Sequence, residues 1–216
     1  MQDRFGRKNL GLFKSYINQT RKPEGVLGKV MIKGMNSGHA KLADWGMSHL
    51  SDIVPKNIID IGCGGGRNTG ALLKRYPKAI VTAVDYSPLS VKQTQIYNKD
   101  AVSAGRCIVQ AGSASALGFR DASFDLATAF ETIYFWPGLV RCFLEIYRVM
   151  EPGGVFLIVN ESDGLDAGGR RFEKMIDGMK IYTAEEVEAA LRKAGFSAVK
   201  TDHHKSRPWI AVLAEK

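Results

Sequence analysis

The sequence predicts an α/β fold: a seven-stranded, mostly parallel sheet with a terminal antiparallel hairpin strand, helices on both faces and an N-terminal helical cover. Three observations predict it. From residue 57 onward, short continuous apolar runs alternate with longer amphipathic ones, the pattern of parallel strands covered on both faces. The last two apolar runs are joined by too few residues for a crossover helix, so they pair antiparallel. The first run ends directly in a glycine-rich turn, where such sheets open a ligand crevice.

The elements follow in order. Two helices, over about 8–18 and 38–50, precede the sheet and fold over its C-terminal edge. Residues 1–52 read as this cover or arm and 53–216 as one compact unit. NIIDIG (57–62) is the first strand, and a helix follows over 67–75. AIVTAVD (79–85) is the second strand. Ser87 and Pro88 then open a helix as N-cap and first-turn proline. RCIVQAG (106–112) and FDLATAF (124–130) are the third and fourth strands. Pro137 opens a helix reaching about Met150, and Pro152-Gly153-Gly154 is a turn. VFLIVNE (155–161) is the fifth strand. Thr183 with Glu186 forms a capping box, and Gly195 closes that helix. FSAVKTD (196–202) and PWIAVLAE (208–215) are the hairpin.

The 216 residues suit one domain, with 45% hydrophobic and 24% charged residues. No apolar run approaches a membrane span, and the charged start lacks a secretory core. The expectation is an intracellular, cytoplasmic chain without a membrane partner. Cys63, Cys107 and Cys142 are odd in number and widely spaced, so they read as free thiols. The net charge is +8, of which +6 lies in residues 1–35. That basic arm either meets phosphates or an acidic substrate, or is a solvated leader.

DIGCGGGRN begins at Asp60, at the end of the first strand. Gly62, Gly64, Gly65 and Gly66 let the backbone turn sharply and approach a ligand. A dinucleotide fingerprint needs glycine where Arg67 stands, and no Gly-Lys-Ser/Thr follows for a phosphate loop. Asp85 ends the second strand, where an acid accepts ribose hydroxyls.

These residues resemble the class I S-adenosylmethionine-dependent methyltransferases. DIGCGGGRN resembles the first motif of that family and AVDYSP its second-strand motif. GSASALGFRDASFDLATAFETIYFW and EIYRVMEPGGVFLIVNE resemble the two segments that follow, together covering roughly 57–161. MNSGH (35–39) is similar to a subgroup of small prokaryotic members. The resemblance implies a Rossmann-like fold, S-adenosylmethionine as cofactor and S-adenosylhomocysteine as product. By the same resemblance Asp60, Gly62, Gly64 and Gly66 cradle the methionine part, and Asp85 holds the ribose. Tyr86 lies against the adenine, Ser113 and Ala114 border it, and Phe130 and Glu131 lie near the reactive centre. Ser113 and Gly118 replace the acid and the proline usual in the family.

Methyl transfer to a hydroxyl or carbon usually needs a base. His39 and Glu131 are the candidates. His39 reads equally as a residue that caps or packs its helix, and Glu131 as one that hydrogen-bonds the glycine loop or cofactor. Asn36, Tyr134, Trp136, Asn160 and Glu161 are substrate candidates, because strand ends and the cover face the crevice. Tyr134 and Trp136 either line a pocket or pack under the cover. Adjacent His203 and His204 point to opposite faces of a strand, so no metal is expected. Cys63 reads as a packing residue. Residues 162–182 read as a mobile lid or a surface loop with a short helix. The leading reading is a methyltransferase for a small-molecule acceptor. The alternatives are an RNA methyltransferase, motivated by the basic arm, and a non-catalytic cofactor-binding module. FETIYF after the fourth strand lacks the motif of base amino-group methyltransferases. A nicotinamide oxidoreductase is a distant fourth.

Overall fold

The computed structural model describes residues 17–216. Its strands are β1 (Asn57–Ile61), β2 (Ile80–Asp85), β3 (Cys107–Ala111), β4 (Phe124–Phe130), β5 (Met150–Asn160), β6 (Ser197–His203) and β7 (Ile210–Glu215). They form one seven-stranded sheet in the order β3-β2-β1-β4-β5-β7-β6. β1 to β5 pair parallel, and β7 pairs antiparallel with both β5 and β6. The predicted mostly parallel sheet with its terminal hairpin is the sheet observed. The order reverses direction at β1, between β2 and β4, which places the switch point over the C-terminal end of β1.

Eight α-helices lie wholly within the described residues: α1 (Gly25–Gly38), α2 (Ala40–Met47), α3 (Arg67–Arg75), α4 (Pro88–Tyr97), α5 (Lys99–Ser103), α6 (Leu139–Val149), α7 (Ala167–Met175) and α8 (Ala184–Lys193). Both sheet faces are covered. On one, Cys142, Phe143 and Ile146 of α6 and Val187 and Leu191 of α8 pack on Ile59, Ala127, Phe156 and Ile158. On the other, Leu42 and Met47 of α2 and Leu72 of α3 pack on Ile58, Leu126, Leu157 and Val159. Coverage on both faces is why the central strands read as unbroken apolar runs. Among the described residues no helix is long and apolar enough to cross a membrane.

The predicted caps are present. Ser87 Oγ accepts the Ser90 N–H at 3.4 Å, ahead of Pro88 in the first turn. Thr183 Oγ1 accepts the Glu186 N–H at 3.2 Å, while Glu186 Oε2 accepts the Thr183 N–H at 2.9 Å.

Three expectations need adjustment, and a fourth, the helix expected at 8–18, lies almost wholly outside the described residues. The helix expected at 38–50 begins at Ala40 and ends in a tighter turn over Ser48–Leu50. Ahead of it lies α1, which the sequence did not predict; its four glycines and its Asn lower helix propensity. Tertiary packing compensates: a Cβ at Gly28 would come within 2.9 Å of Leu89 in α4, so only glycine lets the helices approach this closely. The helix after Pro137 starts two residues later, at Leu139, because Gly138 has φ 92°, outside the helical region. Finally, Pro152-Gly153-Gly154 lies within β5 and not between elements. Its register against β4 shifts between Phe124 and Leu126, and the Gly153 N–H donates to Lys216 O at 2.9 Å. This is a bulge that keeps its backbone partners.

Candidate active site

A single cleft opens over the C-terminal ends of β1, β2 and β4, roofed by α1, α2 and residues 20–23. Its floor is the turn between β1 and α3. The N–H groups of Gly62 and Cys63 donate to Val84 O at 2.7 and 3.1 Å, which pins the turn to β2. Gly62 has φ 82°, and a Cβ there would collide with the Thr132 side chain. Gly66 has φ 80° and immediately precedes α3. A Cβ at Gly66 would sit 2.7 Å from Thr94 Cα, so this glycine lets α4 close behind the turn. Gly64 differs. A Cβ there would meet nothing nearer than Gly62 O at 4.0 Å and would project into open space.

Asp60 lies beneath this turn, not on the cleft wall. It is 1% exposed, and its two carboxylate oxygens accept the hydroxyls of Thr69 at 2.6 Å and Thr128 at 2.9 Å. It ties β1 to α3 and β4. Burial pushes its carboxyl up to about 6, against the pull of the two hydroxyls. Asp85 does face the cleft. Its Oδ2 accepts the Gly64 N–H at 2.9 Å and its Oδ1 the Ser87 N–H at 2.8 Å. Burial raises its carboxyl above the ordinary range, and those two N–H groups oppose the rise. Each oxygen keeps a further lone pair for a ligand hydroxyl.

Beside Asp85, Tyr86 is 44% exposed and lines the same cleft. Its hydroxyl donates a short hydrogen bond to Arg21 O, and Ser87 Oγ donates to Pro23 O at 3.1 Å. The segment before α1 is thereby fastened to this end. Across the mouth, Asn18 Nδ2 donates to Asp177 Oδ2 at 2.9 Å and the Asp177 N–H returns to Asn18 Oδ1 at 3.0 Å. Residues 17–23 therefore form a strap between β2 and the segment after α7. The expected lid over 162–182 contains that short helix, held by Asp166 accepting the Gly169 N–H at 2.7 Å.

The other end of the cleft is acidic. His39 falls in the break between α1 and α2, with φ −94° and ψ 7°, and makes no side-chain cap. Its Nε2 lies 3.5 Å from Glu161 Oε2. That carboxylate raises the imidazole above its usual value, against the effect of burial; His39 in turn lowers Glu161. Glu131, directly after β4, has φ 57°, a left-handed conformation rare for a non-glycine residue and characteristic of sites. Its N–H donates to Val159 O at 2.9 Å. Its Oε1 accepts the Tyr134 hydroxyl at 3.1 Å and, through a short bond, the Glu161 N–H. Burial pushes its carboxyl up to about 7, with His39 and the hydrogen bonds pulling the other way. The donor atoms of His39, Glu131 and Glu161 all lie within 4.8 Å of one another.

The structure thus brings together Asn36, His39, Gly62, Gly64, Asp85, Tyr86, Phe130, Glu131 and Tyr134 on one cleft, with Glu161 at its edge. Asn36 also donates to Gly65 O at 3.2 Å, tying α1 to the glycine turn. The remaining candidates lie elsewhere. Asp60 and Gly66 support the turn from behind. Ser113 and Ala114 are off the cleft: a bridge between Ser113 and Ala116 folds their loop on itself, and Ala114 enters the core. Trp136 packs edge-on against Phe143, behind the lining, and donates to the cleft-lining Thr132 Oγ1 at 3.2 Å. Asn160 is fully buried, with no hydrogen-bond partner for its amide among the described residues. Cys63, by contrast, belongs to the glycine turn lining the cleft, but it is buried and its thiol accepts the Thr94 hydroxyl at 3.3 Å. His204 packs on Trp45 and Trp209. Sequence reasoning missed the strap and Thr132. The strap depends on Asn18 and Asp177, 159 positions apart, and carries no local signal.

Comparison with known proteins agrees with this geometry. A family described as "Methyltransferase domain" matches residues 59–158. The malonyl-[acyl-carrier protein] O-methyltransferase of Geobacter sulfurreducens is 30% identical over 166 residues, covering 68% of this chain and 58% of that protein. The chain spans about half the length of the curated relatives it matches. Human N-acetylserotonin methyltransferase, solved in complex with S-adenosylmethionine, superposes with a TM-score of 0.71 at 17% identity, covering 86% of this chain and 55% of that one. The [4+2]-cyclase SpnF superposes with a TM-score of 0.70 at 20% identity, covering 82% and 80%. At these identities the superpositions show a shared fold.

Proposed function

The chain carries a class I S-adenosylmethionine-dependent methyltransferase domain, and from that premise we propose that it transfers the cofactor's methyl group to a small-molecule acceptor. One observation carries the proposal. One cleft has the glycine turn and the Asp85 carboxylate at one end, and His39, Glu131 and Glu161 grouped at the other.

The residues fit the cofactor. A Cβ at Gly64 would occupy the space the ligand needs. Asp85 takes the ribose hydroxyls, Tyr86 offers a flat face to the adenine, and Gly62 and Gly64 border the methionine part. The cofactor supplies an electrophilic methyl on a sulfonium centre. The protein contributes position and charge. Phe130 and Tyr134 wall the reacting end, and the helices before residue 52 act as a cover that limits the acceptor's size. His39 and Glu131 are the groups able to take a proton from a hydroxyl or ammonium acceptor; Glu161 holds the His39 ring through Nε2.

An RNA acceptor is the less favoured reading. Half of the basic residues that motivate it, Arg4, Arg7, Lys8 and Lys14, lie outside the described residues, and two glutamates at the reacting end oppose phosphate. Salt-dependent RNA binding would revive it.

Calorimetric titration with S-adenosylhomocysteine tests the proposal, with NAD as control. Selective binding that weakens at least tenfold in Asp85→Ala is expected. Folded protein that fails to bind it refutes the assignment.

A further inference from the structure

We propose that His39, Glu131 and Glu161 form a divalent-cation site at the reacting end of the cleft. The three side chains come from three separate elements: the break between α1 and α2, the residue after β4 and the residue after β5. Their donor atoms lie within 4.8 Å of one another. Three ligands about 2.0–2.2 Å from one ion in a tetrahedral arrangement stand about 3.3–3.6 Å apart, so closure on an ion draws the widest pair in by up to about an ångström.

Several features distinguish this cluster from a chance surface grouping. Glu131 adopts a left-handed backbone that only surrounding structure can enforce. Its Oε1 is held by Tyr134 and by the Glu161 N–H, which leaves Oε2 for an ion. His39 interrupts what would otherwise be one long helix, and its imidazole leans toward a carboxylate it reaches at only 3.5 Å. Two carboxylates and a neutral imidazole carry −2, which a divalent cation neutralises. The side chains of His39 and Glu161 are 33% and 53% exposed, so coordination positions stay open toward the cleft.

One nitrogen and two carboxylates suit Zn²⁺, Mn²⁺, Fe²⁺ or Ni²⁺ better than Mg²⁺ or Ca²⁺. Three protein ligands with open positions are the pattern of a catalytic site, not a structural one. The open positions would take an oxygen donor, a hydroxyl or carboxylate of the acceptor. That last step rests on the methyl-transfer reading; the ion site itself does not. With an ion bound, His39 gives its lone pair to the metal and not to a proton, so the two uses of this residue alternate.

The test is calorimetric titration of chelator-stripped full chain with Zn²⁺, and with Mn²⁺ followed by electron paramagnetic resonance. One ion per chain is expected, with affinity falling at least tenfold in Glu161→Gln and in His39→Gln. Circular dichroism and thermal unfolding establish that each variant is folded. Absence of stoichiometric binding of either ion overturns the site. So does binding that survives both substitutions, or that is lost in His203→Ala. The two proposals fail separately: a chain that binds S-adenosylhomocysteine but neither ion loses only the metal site, and one that binds an ion but not S-adenosylhomocysteine loses only the cofactor assignment.

Discussion

Asp60 allows the energetic logic of the site to be tested without an acceptor. The carboxyl is enclosed beneath the glycine turn, and burial raises it from 3.8 to about 6. A carboxyl whose pKa is higher folded than unfolded binds its proton more tightly in the native state. Its contribution is fully present below pH 4 and is lost as the pH rises through about 6. Linkage between these two values gives a difference of about 1.4 kcal/mol in stability between pH 5 and pH 7.5. Asp60→Asn keeps the shape and both threonine contacts, since the amide accepts from one hydroxyl and donates to the other. It removes the titration. Urea unfolding of both proteins at the two pH values isolates the effect, because Asp85, Glu131 and every other shifted group cancels in the comparison. Stability of wild type relative to the variant is expected to rise by about 1.4 kcal/mol from pH 7.5 to pH 5. An equal difference at both values would refute the claim that Asp60 titrates in this range. Because Asp60 faces away from the cleft, the variant should bind S-adenosylhomocysteine within a few-fold of wild type.

Three further outcomes are expected. Gly46→Val drives a side chain into Val159, where α2 rests on β5; overpacking costs about 1–3 kcal/mol and thermal unfolding should shift down by several degrees. Asn18→Ala removes its two hydrogen bonds to Asp177 and leaves the Arg21 guanidinium on Asp177 O, so stopped-flow release of S-adenosylhomocysteine should quicken several-fold; an unchanged rate means the Asn18 contact does not gate the cleft. With an acceptor in hand, His39→Ala should lower kcat by about 100-fold or more while KM for the cofactor changes little; unchanged turnover removes His39 as the proton acceptor.

The sheet was legible because its signals are local. NIIDI and FDLATAF are apolar on both faces, and the capping box at Thr183 and Glu186 is contained in four residues. The glycine turn and Asp85 were legible for the same reason, since each sits at a strand end and parallel topology converges strand ends on the switch point. What the sequence concealed was set by packing. α1 contains glycines that disfavour a helix in isolation, yet one of them is what lets it lie against α4. Asp60 reads as a ligand-facing acid from its motif position. Only the fold shows Thr69 and Thr128 occupying its two oxygens.

The reacting end is the instructive case, because its residues were named while their relationship was not. His39, Glu131 and Glu161 were each nominated singly, 92 and 30 positions apart. Their meeting depends on two backbone features that hydrophobic pattern does not encode. The first is the helix break at His39, which turns an imidazole toward β5. The second is the left-handed Glu131, which turns its carboxylate back to the Glu161 N–H instead of continuing along β4. Strain of this kind costs about 1–3 kcal/mol and persists only when the surrounding contacts over-determine it. Here those contacts are the Val159 carbonyl, the Tyr134 hydroxyl and the Glu161 amide. The same three contacts leave the second oxygen of Glu131 uncommitted beside His39, so the arrangement stabilising the strained residue also prepares it for a proton or an ion.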